Sequence, residues 1–301
     1  MEKLNIESFQ NQSEVEDQDS ESWYLKDSIK PLIAVSIYSV GPSREKGLER
    51  NILAGNMSKN YDDRLEADRN LNNFLESINV LPGDTVTMHP QDVNDEELRA
   101  INIDTVSLEK DCATYLKDRG DFIYTRNPET ALSVKPADCS CIFCFGETEQ
   151  GPIMSLTHLS KHGAVRGYFD QMFEYLDNLG IDRETMKIYI VGGAYKENRP
   201  YSHEDDSSEA SNYKKLFKDI KYNDDDGNWH YNIDVPGFIL SKLSENKIND
   251  NQIFLDQTDT ARLDSGHSSH SRTARSDGKE IESRDIAIGR MGLFRCGAKE
   301  G

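Results

Sequence analysis

A run of short β-prone segments through the middle of the chain limits its fold more than any other feature of the sequence. The segments occupy residues 85–88, 121–125, 130–134, 141–145, 153–157 and 187–191. Each is bounded by polar residues, glycine or proline, which is the pattern of strands joined by turns. An earlier apolar segment, 31–40, ends at Gly41 and Pro42 and has the composition of a buried strand. The sequence therefore predicts a fold built on β-sheet.

Helices are predicted between and after these strands. Residues 61–78 carry apolar side chains at helical spacing, with Asp62 and Asp63 suited to the first turn. Residues 164–179 show the same amphipathic pattern, and residues 234–246 have Pro236 where a first helical turn accepts it. The alternation of strands and helices predicts a mixed α/β domain.

Composition separates two segments from the rest of the chain. Residues 1–29 are poor in apolar side chains and hold seven acidic residues by position 21 against one lysine, which predicts a disordered or loosely docked tail. Residues 203–228 are again charged and poor in apolar side chains, which predicts an insertion or a mobile flap. We therefore expect one catalytic domain over residues 30–301 that carries this insertion.

Net charge and hydropathy limit the partners. The chain has 54 acidic and 35 basic residues, a formal charge of −19, which repels nucleic acid backbones and anionic membranes. No stretch approaches the roughly 20 apolar residues that cross a bilayer, and the N-terminus has no apolar signal core. We expect a cytoplasmic protein that binds neither nucleic acid nor membrane, with a monomer favoured.

The cysteines favour reduced thiols over a disulfide framework. There are five, and Cys139, Cys141 and Cys144 fall within six residues. This crowding suits a disulfide-stabilised fold poorly in a chain of 301 residues. At least one thiol is then available as a metal ligand or a nucleophile.

Histidine and cysteine occur where three predicted strands begin or end. His89 follows the strand at 85–88, Cys139 precedes the strand at 141–145, and His158 and His162 follow the strand at 153–157. If these strands are neighbours in one sheet, the side chains meet at a common edge. Two imidazoles and one thiolate form a catalytic zinc set with a fourth position open to water or substrate.

Simpler roles exist for the same residues. A single histidine is commonly a surface or hydrogen-bonded side chain. Free cysteine is often buried as packing, and this role is favoured for Cys144. Asp138 alternates to the opposite face of a strand from Cys139, which predicts a buried hydrogen-bonding role.

Four sequence elements carry a resemblance to a known family. Residues 120–139 end in Ala137-Asp138-Cys139 and resemble a segment of the laccase-domain family, also called polyphenol oxidases or YfiH-like purine nucleoside phosphorylases. The sequence from His162 to Gly167 resembles the His-Ala-Gly-Trp-Arg-Gly signature of that family. Met88-His89 stands where Gln-Val-His is expected, and Gly289-Arg290 resembles a terminal Thr-Gly-Arg element. The similarity extends over roughly residues 31–296.

The resemblance implies a fold, a metal and a reaction. The fold is a layered α-β-β-α sandwich with mixed sheets. The metal is zinc, or copper by an older interpretation of the family, bound by His89, Cys139 and a later histidine. The signature favours His162 slightly, whereas counting from the preceding strand selects His158, so both are retained.

The reaction implied is phosphorolysis of purine nucleosides, with adenosine deamination as an accompanying activity. Purine nucleoside and phosphate are the expected partners. Arg166, predicted at a helix start, is the first candidate for phosphate contact, because its guanidinium would add to the helix dipole. Arg69 and Arg272 are further candidates.

Departures from the family pattern leave other functions open. Val165 replaces the signature tryptophan, no glutamine precedes His89, and the expected Gly-Pro-x-Ile element is represented by Gly192-Gly193-Ala194-Tyr195. One alternative is a hydrolase or deamidase in which Cys139 is the nucleophile and a histidine is the base. A copper-dependent polyphenol oxidase and a binding protein without catalysis are the others.

Overall fold

The fold is given by a computed structural model of the chain, which describes residues 22–26, 32–36, 64–92, 94–193, 200–202, 221–223, 229–232, 234–256, 260 and 286–291. The helices in these ranges are α1 Arg64–Ser77, α2 Lys161–Val165, α3 Tyr168–Asn178 and α4 Val235–Glu245. No helix within the described ranges has the length and apolar composition that spanning a membrane requires.

Strands account for most of the remaining regular structure in these ranges. They are β1 Ser22–Lys26, β2 Leu32–Ser36, β3 Thr85–Thr87, β4 Ala100–Asn102, β5 Thr114–Tyr115, β6 Phe122–Thr125, β7 Ala131–Val134, β8 Ser140–Thr148, β9 Gly151–Leu159, β10 Lys187–Val191, β11 Pro200–Ser202, β12 Lys221–Asn223, β13 Trp229–Asn232, β14 Ile253–Leu255 and β15 Ala287–Arg290.

The first sheet has the strand order β1-β2-β15-β7-β3-β5. Its centre is β15, which pairs antiparallel with both β2 and β7, so a strand near the C-terminus joins two strands from the first half of the chain. β3 pairs parallel to β7 and to β5. All residues of β7 are buried, as expected of an inner strand covered on both faces.

The second sheet has the order β14-β10-β8-β9-β6-β4 and is built around a long hairpin. β8 and β9 have nine residues each and are joined by Glu149 and Gln150. Gly151 follows at φ 102°, a conformation that favours glycine. The pairing places Cys141 opposite His158, and β6 pairs antiparallel with the other side of β9.

Three apolar clusters hold the layers together. Helix α1 packs through Leu71, Phe74 and Leu75 on one face of the first sheet. The two sheets face each other through a cluster that includes Leu132 and Phe143. The outer face of the second sheet packs on α3 and α4. The order of layers is α-β-β-α, which confirms the predicted mixed α/β sandwich and explains why its inner strands carry apolar side chains on both faces.

The predicted strands and helices are found close to their expected positions, with one division. The helix predicted over 164–179 is two helices, α2 and α3, because Gly167 adopts φ 76° between them. Ser160 caps α2 by accepting a hydrogen bond from the Gly163 N–H. Arg166 therefore lies in the connection between α2 and α3.

The predicted start of order near Lys30 is wrong for residues 22–26. They form β1, where Trp23, Tyr24 and Leu25 pair antiparallel with β2. Strand propensity and an available partner strand outweigh the acidic composition around them. Residues 1–21 and 27–31 lie outside the described residues.

Part of the predicted insertion also has regular structure. Residues 221–223 form β12, which pairs with β13, and β13 pairs with β11 in a small antiparallel sheet. The other residues of 203–228 lie outside the described part of the chain.

Candidate active site

The site begins with a thiol and an imidazole brought together by the central hairpin of the second sheet. Cys139 lies directly before β8 and is half-buried. His158 lies near the end of β9, is buried, and stands opposite Cys141 in the pairing. The side chains of Cys139 and His158 are hydrogen-bonded to each other. Of the two histidines left open by the sequence, His158 has this contact with the thiol.

A carboxylate completes the arrangement on the other side of the imidazole ring. Asp121 Oδ1 lies 3.0 Å from His158 Nδ1, and Asp121 is only 4% exposed. The main chains are joined as well, since the His158 N–H donates to the Asp121 carbonyl at 2.9 Å. Because β6 and β9 are paired neighbours, their hydrogen bonding fixes both residues. The side chains form a line from Asp121 through His158 to Cys139.

The electrostatics of this line favour a charged imidazole. Burial lowers the pKa of His158, but the charges of Cys139 and Asp121, and hydrogen bonds to both, raise it from 6.5 to about 10. An imidazole held between a thiol and a carboxylate can accept and return a proton in a fixed orientation. Cys141 faces the same neighbourhood, where burial, the charge of Cys139 and that of Asp121 raise its thiol pKa.

Gln91 supports Asp121 from the loop that follows β3. The Gln91 N–H donates to Asp121 Oδ1 at 3.2 Å, and the Asp121 N–H donates to Gln91 Oε1 at 3.2 Å. Gln91 Nε2 also lies 3.4 Å from the hydroxyl of Tyr168, at the start of α3. The sequence reasoning missed both Asp121 and Gln91. An acidic residue directly before a predicted strand, within the segment that resembles the family, was the available signal for Asp121.

His89 reaches this region from the other sheet. It follows β3 of the first sheet, whereas Cys139 and His158 belong to the second. The prediction that their strands are neighbours in one sheet is therefore wrong, because the sequence pattern of a strand does not specify its sheet. The His89 carbonyl accepts a hydrogen bond from Gly120, the residue before Asp121, at 2.9 Å. The His89 side chain is exposed.

Only two of these residues, Cys139 and His158, are placed together as metal donors. A thiol and an imidazole are preferred zinc ligands, and a carboxylate on the second ring nitrogen is common for zinc-bound histidine. However, the described residues contain no group of three or more His, Cys, Asp or Glu side chains arranged to hold a metal ion. As placed, the predicted set with His89 does not fit zinc or copper.

The other predicted site residues lie in three different places. His162 lies in α2, four residues after His158 in the chain, and is half-buried. Arg166 is also half-buried, and its charge acts on the pKa of Tyr168. Arg69 is exposed on α1, the helix that packs on the outer face of the first sheet. Arg272 lies outside the described residues.

The backbone before Cys139 is held by a buried turn. Asp138 adopts φ 75° and is 1% exposed, and its Oδ1 accepts a hydrogen bond from the Thr260 hydroxyl at 2.9 Å. This confirms the hydrogen-bonding role predicted for Asp138. Gly192, at φ 68°, approaches the Cys139 carbonyl closely, since a Cβ atom there would lie 3.4 Å from it.

The described cysteines are free thiols, as predicted. Cys112 is exposed, Cys139 is half-buried, and Cys141 and Cys144 are buried. Cys144 packs in the cluster between the second sheet and its helices, which confirms its predicted packing role. Cys139 is therefore the accessible thiol of the central hairpin.

Comparison with known proteins agrees with this architecture. The family model described as multi-copper polyphenol oxidoreductase laccase matches residues 41–283. No curated protein matches the chain. The crystal structure of the Bacillus licheniformis hypothetical protein YfiH superposes with a TM-score of 0.69 at 13% identity, covering 94% of this chain and 100% of that one. YlmD from Geobacillus stearothermophilus gives 0.67 at 13% identity, with 94% and 100% covered.

The two crystal structures share the fold, and the family model covers most of the chain, so the resemblance stated from the sequence is confirmed. The chain belongs to the laccase-like family that is described as multi-copper polyphenol oxidoreductase laccase and shares its fold with YfiH.

Proposed function

We propose that this protein processes purine nucleosides, by phosphorolysis and by deamination of adenosine, at the site formed by Cys139, His158 and Asp121. The observation that carries the proposal is the hydrogen-bonded line of these three side chains in a member of this family. Supporting it, the imidazole is buried and oriented by a carboxylate, as proton transfer during cleavage of a carbon–nitrogen bond requires.

Phosphorolysis assigns a task to His158, Asp121 and Arg166. An oxygen of phosphate bonds to C1′ of the ribose, the bond from C1′ to N9 of the purine breaks, and the base leaves with a proton. His158 is the proposed proton donor, and Asp121 holds its ring in the required orientation. Arg166 is the proposed phosphate contact, since its guanidinium can form two parallel hydrogen bonds to phosphate oxygens.

Whether the protein binds zinc is a separate question, which metal analysis can answer. The resemblance implies zinc on His89, Cys139 and His158 or His162, with copper as the lesser alternative. The contact of a thiol with an imidazole that has a carboxylate partner supports zinc, whereas the exposed side chain of His89 does not. Metal content of the purified protein, before and after Cys139→Ser, decides the matter.

The function is tested by supplying adenosine, inosine or guanosine with and without phosphate and separating the products. Free base and ribose 1-phosphate are expected with phosphate, and inosine and ammonia from adenosine without it. Cys139→Ser, His158→Gln and Asp121→Asn should abolish turnover, whereas Cys112→Ser, at an exposed thiol outside the site, should retain it. Wild-type protein that leaves all three nucleosides unchanged would exclude the proposal.

A second candidate function follows from the order of the three side chains. A thiol, an imidazole and a carboxylate in line are the arrangement of cysteine hydrolases and deamidases. In this reaction the Cys139 thiol gives its proton to His158 and Sγ bonds to an amide carbonyl carbon. The carbon–nitrogen bond then breaks as the leaving amine takes that proton from His158. Water then hydrolyses the thioester and restores the thiol.

Mass spectrometry separates the two candidates. A substrate-derived acyl group on Cys139, trapped by rapid acid quench, is expected only for the hydrolase. Oxygen uptake with a phenol substrate would instead indicate polyphenol oxidation, and bound nucleoside without any product would indicate a binding protein.

A further inference from the structure

We propose that Gln91 is a positioning residue of this site, one that holds Asp121, and through it His158, in the orientation that the reaction uses. The proposal deepens the proposed function and rests on it for the identity of the reaction. Gln91 touches none of the proposed reacting atoms, so its contribution passes through the carboxylate.

The contact between Gln91 and Asp121 is reciprocal. The backbone N–H of Gln91 donates to Oδ1 of Asp121, and the side-chain oxygen of Gln91 accepts from the backbone N–H of Asp121, both at 3.2 Å. The same Oδ1 atom lies 3.0 Å from His158 Nδ1. One carboxylate oxygen is therefore shared by the imidazole and the loop that carries Gln91.

The rest of the Gln91 amide is fixed by its surroundings. Its oxygen also accepts from the Arg99 N–H at 2.6 Å, and its nitrogen donates to the Glu97 carbonyl at 2.8 Å. The side chain is 8% exposed. A buried amide with both ends hydrogen-bonded cannot rotate without leaving polar groups unpaired, which costs free energy. Gln91 therefore holds the loop in a single arrangement.

The contact between Gln91 and Asp121 connects the two sheets. The residue follows β3 of the first sheet, whereas Asp121 precedes β6 of the second. The contact ties a carboxylate of one sheet to the loop of the other. Loss of the Gln91 side chain leaves the β6–β9 pairing and the Gln91 backbone N–H in place but removes the oxygen that accepts from the Asp121 N–H and the Arg99 N–H. The loop and Asp121 can then shift relative to each other, so the expected loss is in ring orientation.

The test compares Gln91→Leu with Gln252→Leu in the full-length protein. Gln252 is a matched control, because it is also 8% exposed and its amide bonds to backbone groups, with Nε2 donating to the Arg183 and Met186 carbonyls at 2.7 Å. Both substitutions should lower the melting temperature. Gln91→Leu alone should lower kcat by about 10- to 100-fold with KM within about twofold.

A second readout keeps this inference separate from the proposed reaction. The rate of iodoacetamide addition to Cys139, relative to Cys112 in the same molecule, is measured by peptide mass spectrometry with a chelator present. It should fall at least about threefold in Gln91→Leu and stay constant in Gln252→Leu, because only the first disturbs the base beside the thiol. This ratio is informative even if no nucleoside is turned over.

Gln91→Glu is a more conservative substitution. It allows the proposal to be tested even if Gln91→Leu does not fold. Its carboxylate retains an acceptor for the Arg99 and Asp121 N–H groups, so kcat and the alkylation ratio should lie nearer to wild type than in the leucine variant. Equal losses of kcat and of relative alkylation in Gln91→Leu and Gln252→Leu, or an unchanged ratio in both Gln91 variants, would overturn the proposal.

Discussion

Asp121 and His158 are joined twice, once by their side chains at 3.0 Å and once by the His158 N–H and the Asp121 carbonyl at 2.9 Å. The backbone bond belongs to the pairing of β6 with β9, so the sheet itself aligns the carboxylate with the imidazole. Orientation of the ring is thus built into strand pairing and does not depend on a flexible loop alone.

Replacement of Asp121 by asparagine should reduce kcat by about 100-fold or more, because an amide can stabilise the wrong ring tautomer and cannot balance an imidazolium charge. The fold should survive, since the asparagine oxygen can still accept from Gln91. Steady-state kinetics and a urea unfolding curve measure the two effects. Asp104→Asn is the control, since Asp104 accepts from Thr125 and Arg126 at the other end of β6. A similar loss of kcat there would contradict the assignment.

The two neighbouring histidines should differ in effect. His158→Gln removes the ring that contacts both Cys139 and Asp121, and should abolish turnover to at least about 100-fold below wild type. His162→Gln changes a residue of α2 and should leave kcat within about tenfold, with the larger change in KM. Measuring both variants against the same nucleoside decides between them. A greater loss of kcat in His162→Gln than in His158→Gln would contradict this assignment and favour His162, the histidine that the signature motif selects.

The thiols should react with iodoacetamide in an order set by burial. At pH 8, Cys112 and Cys139 should be alkylated in the folded protein and Cys141 and Cys144 should not. Burial raises the pKa of Cys144 from 9.0 to about 12, and that of Cys141 is also raised. Peptide mass spectrometry reads each site separately. Rapid labelling of Cys144 without unfolding would contradict its place in the core.

The raised pKa of Cys144 should make the free energy of unfolding depend on pH. Below pH 9 the Cys144 thiol is protonated in both the folded and unfolded states and has no effect. Between pH 9 and about 12 only the unfolded state releases the proton, so the free energy of unfolding should fall as pH rises. Urea unfolding at pH 8 and pH 10 should show a smaller decrease for Cys144→Ala than for wild type. An equal decrease in both would assign the effect to other groups.

The turn beside Cys139 should tolerate no side chain at Gly193. A Cβ atom there would lie 2.7 Å from Ser140 Oγ and 2.7 Å from Pro236 Cγ, and the residue has φ 119°. Gly193→Ala should therefore lower the free energy of unfolding by about 2–4 kcal/mol, from overpacking and backbone strain together. Gly151→Ala is the control closest in backbone conformation, with φ 102° and nothing within 4 Å of its Cβ, and should cost less. Equal costs would show that the close contact relaxes freely.

The sequence predicted the local structure well because its signals are local. The strand at 187–191 and the helix now seen as Val235–Glu245 carry their propensity and capping residues within themselves. The division at Gly167 was missed because residues 164–179 keep one apolar pattern across the break. β15 was missed as a strand because Ala287–Arg290 is short and owes its pairing to β2 and β7, which are distant in sequence.

Two residues of the candidate site could be singled out from the sequence for the same reason. Cys139 and His158 lie at strand ends, which sequence can locate. Their contact depends on the β8–β9 register, which only the assembled hairpin fixes. Asp121 and Gln91 gain their roles from pairing across the second sheet and between sheets, and no local pattern records such contacts. Arg272 and the metal remain predictions.

Because the candidate site takes residues from both sheets, partial denaturation that separates the sheets should affect it. Cys139, His158 and Asp121 come from one sheet and Gln91 from a loop of the other. A partly denatured form with native strands but separated layers would keep its far-ultraviolet circular dichroism and still lose most of the activity of the proposed site. Turnover at the proposed site would consequently report closure of the sandwich, which circular dichroism of the strands and helices does not detect.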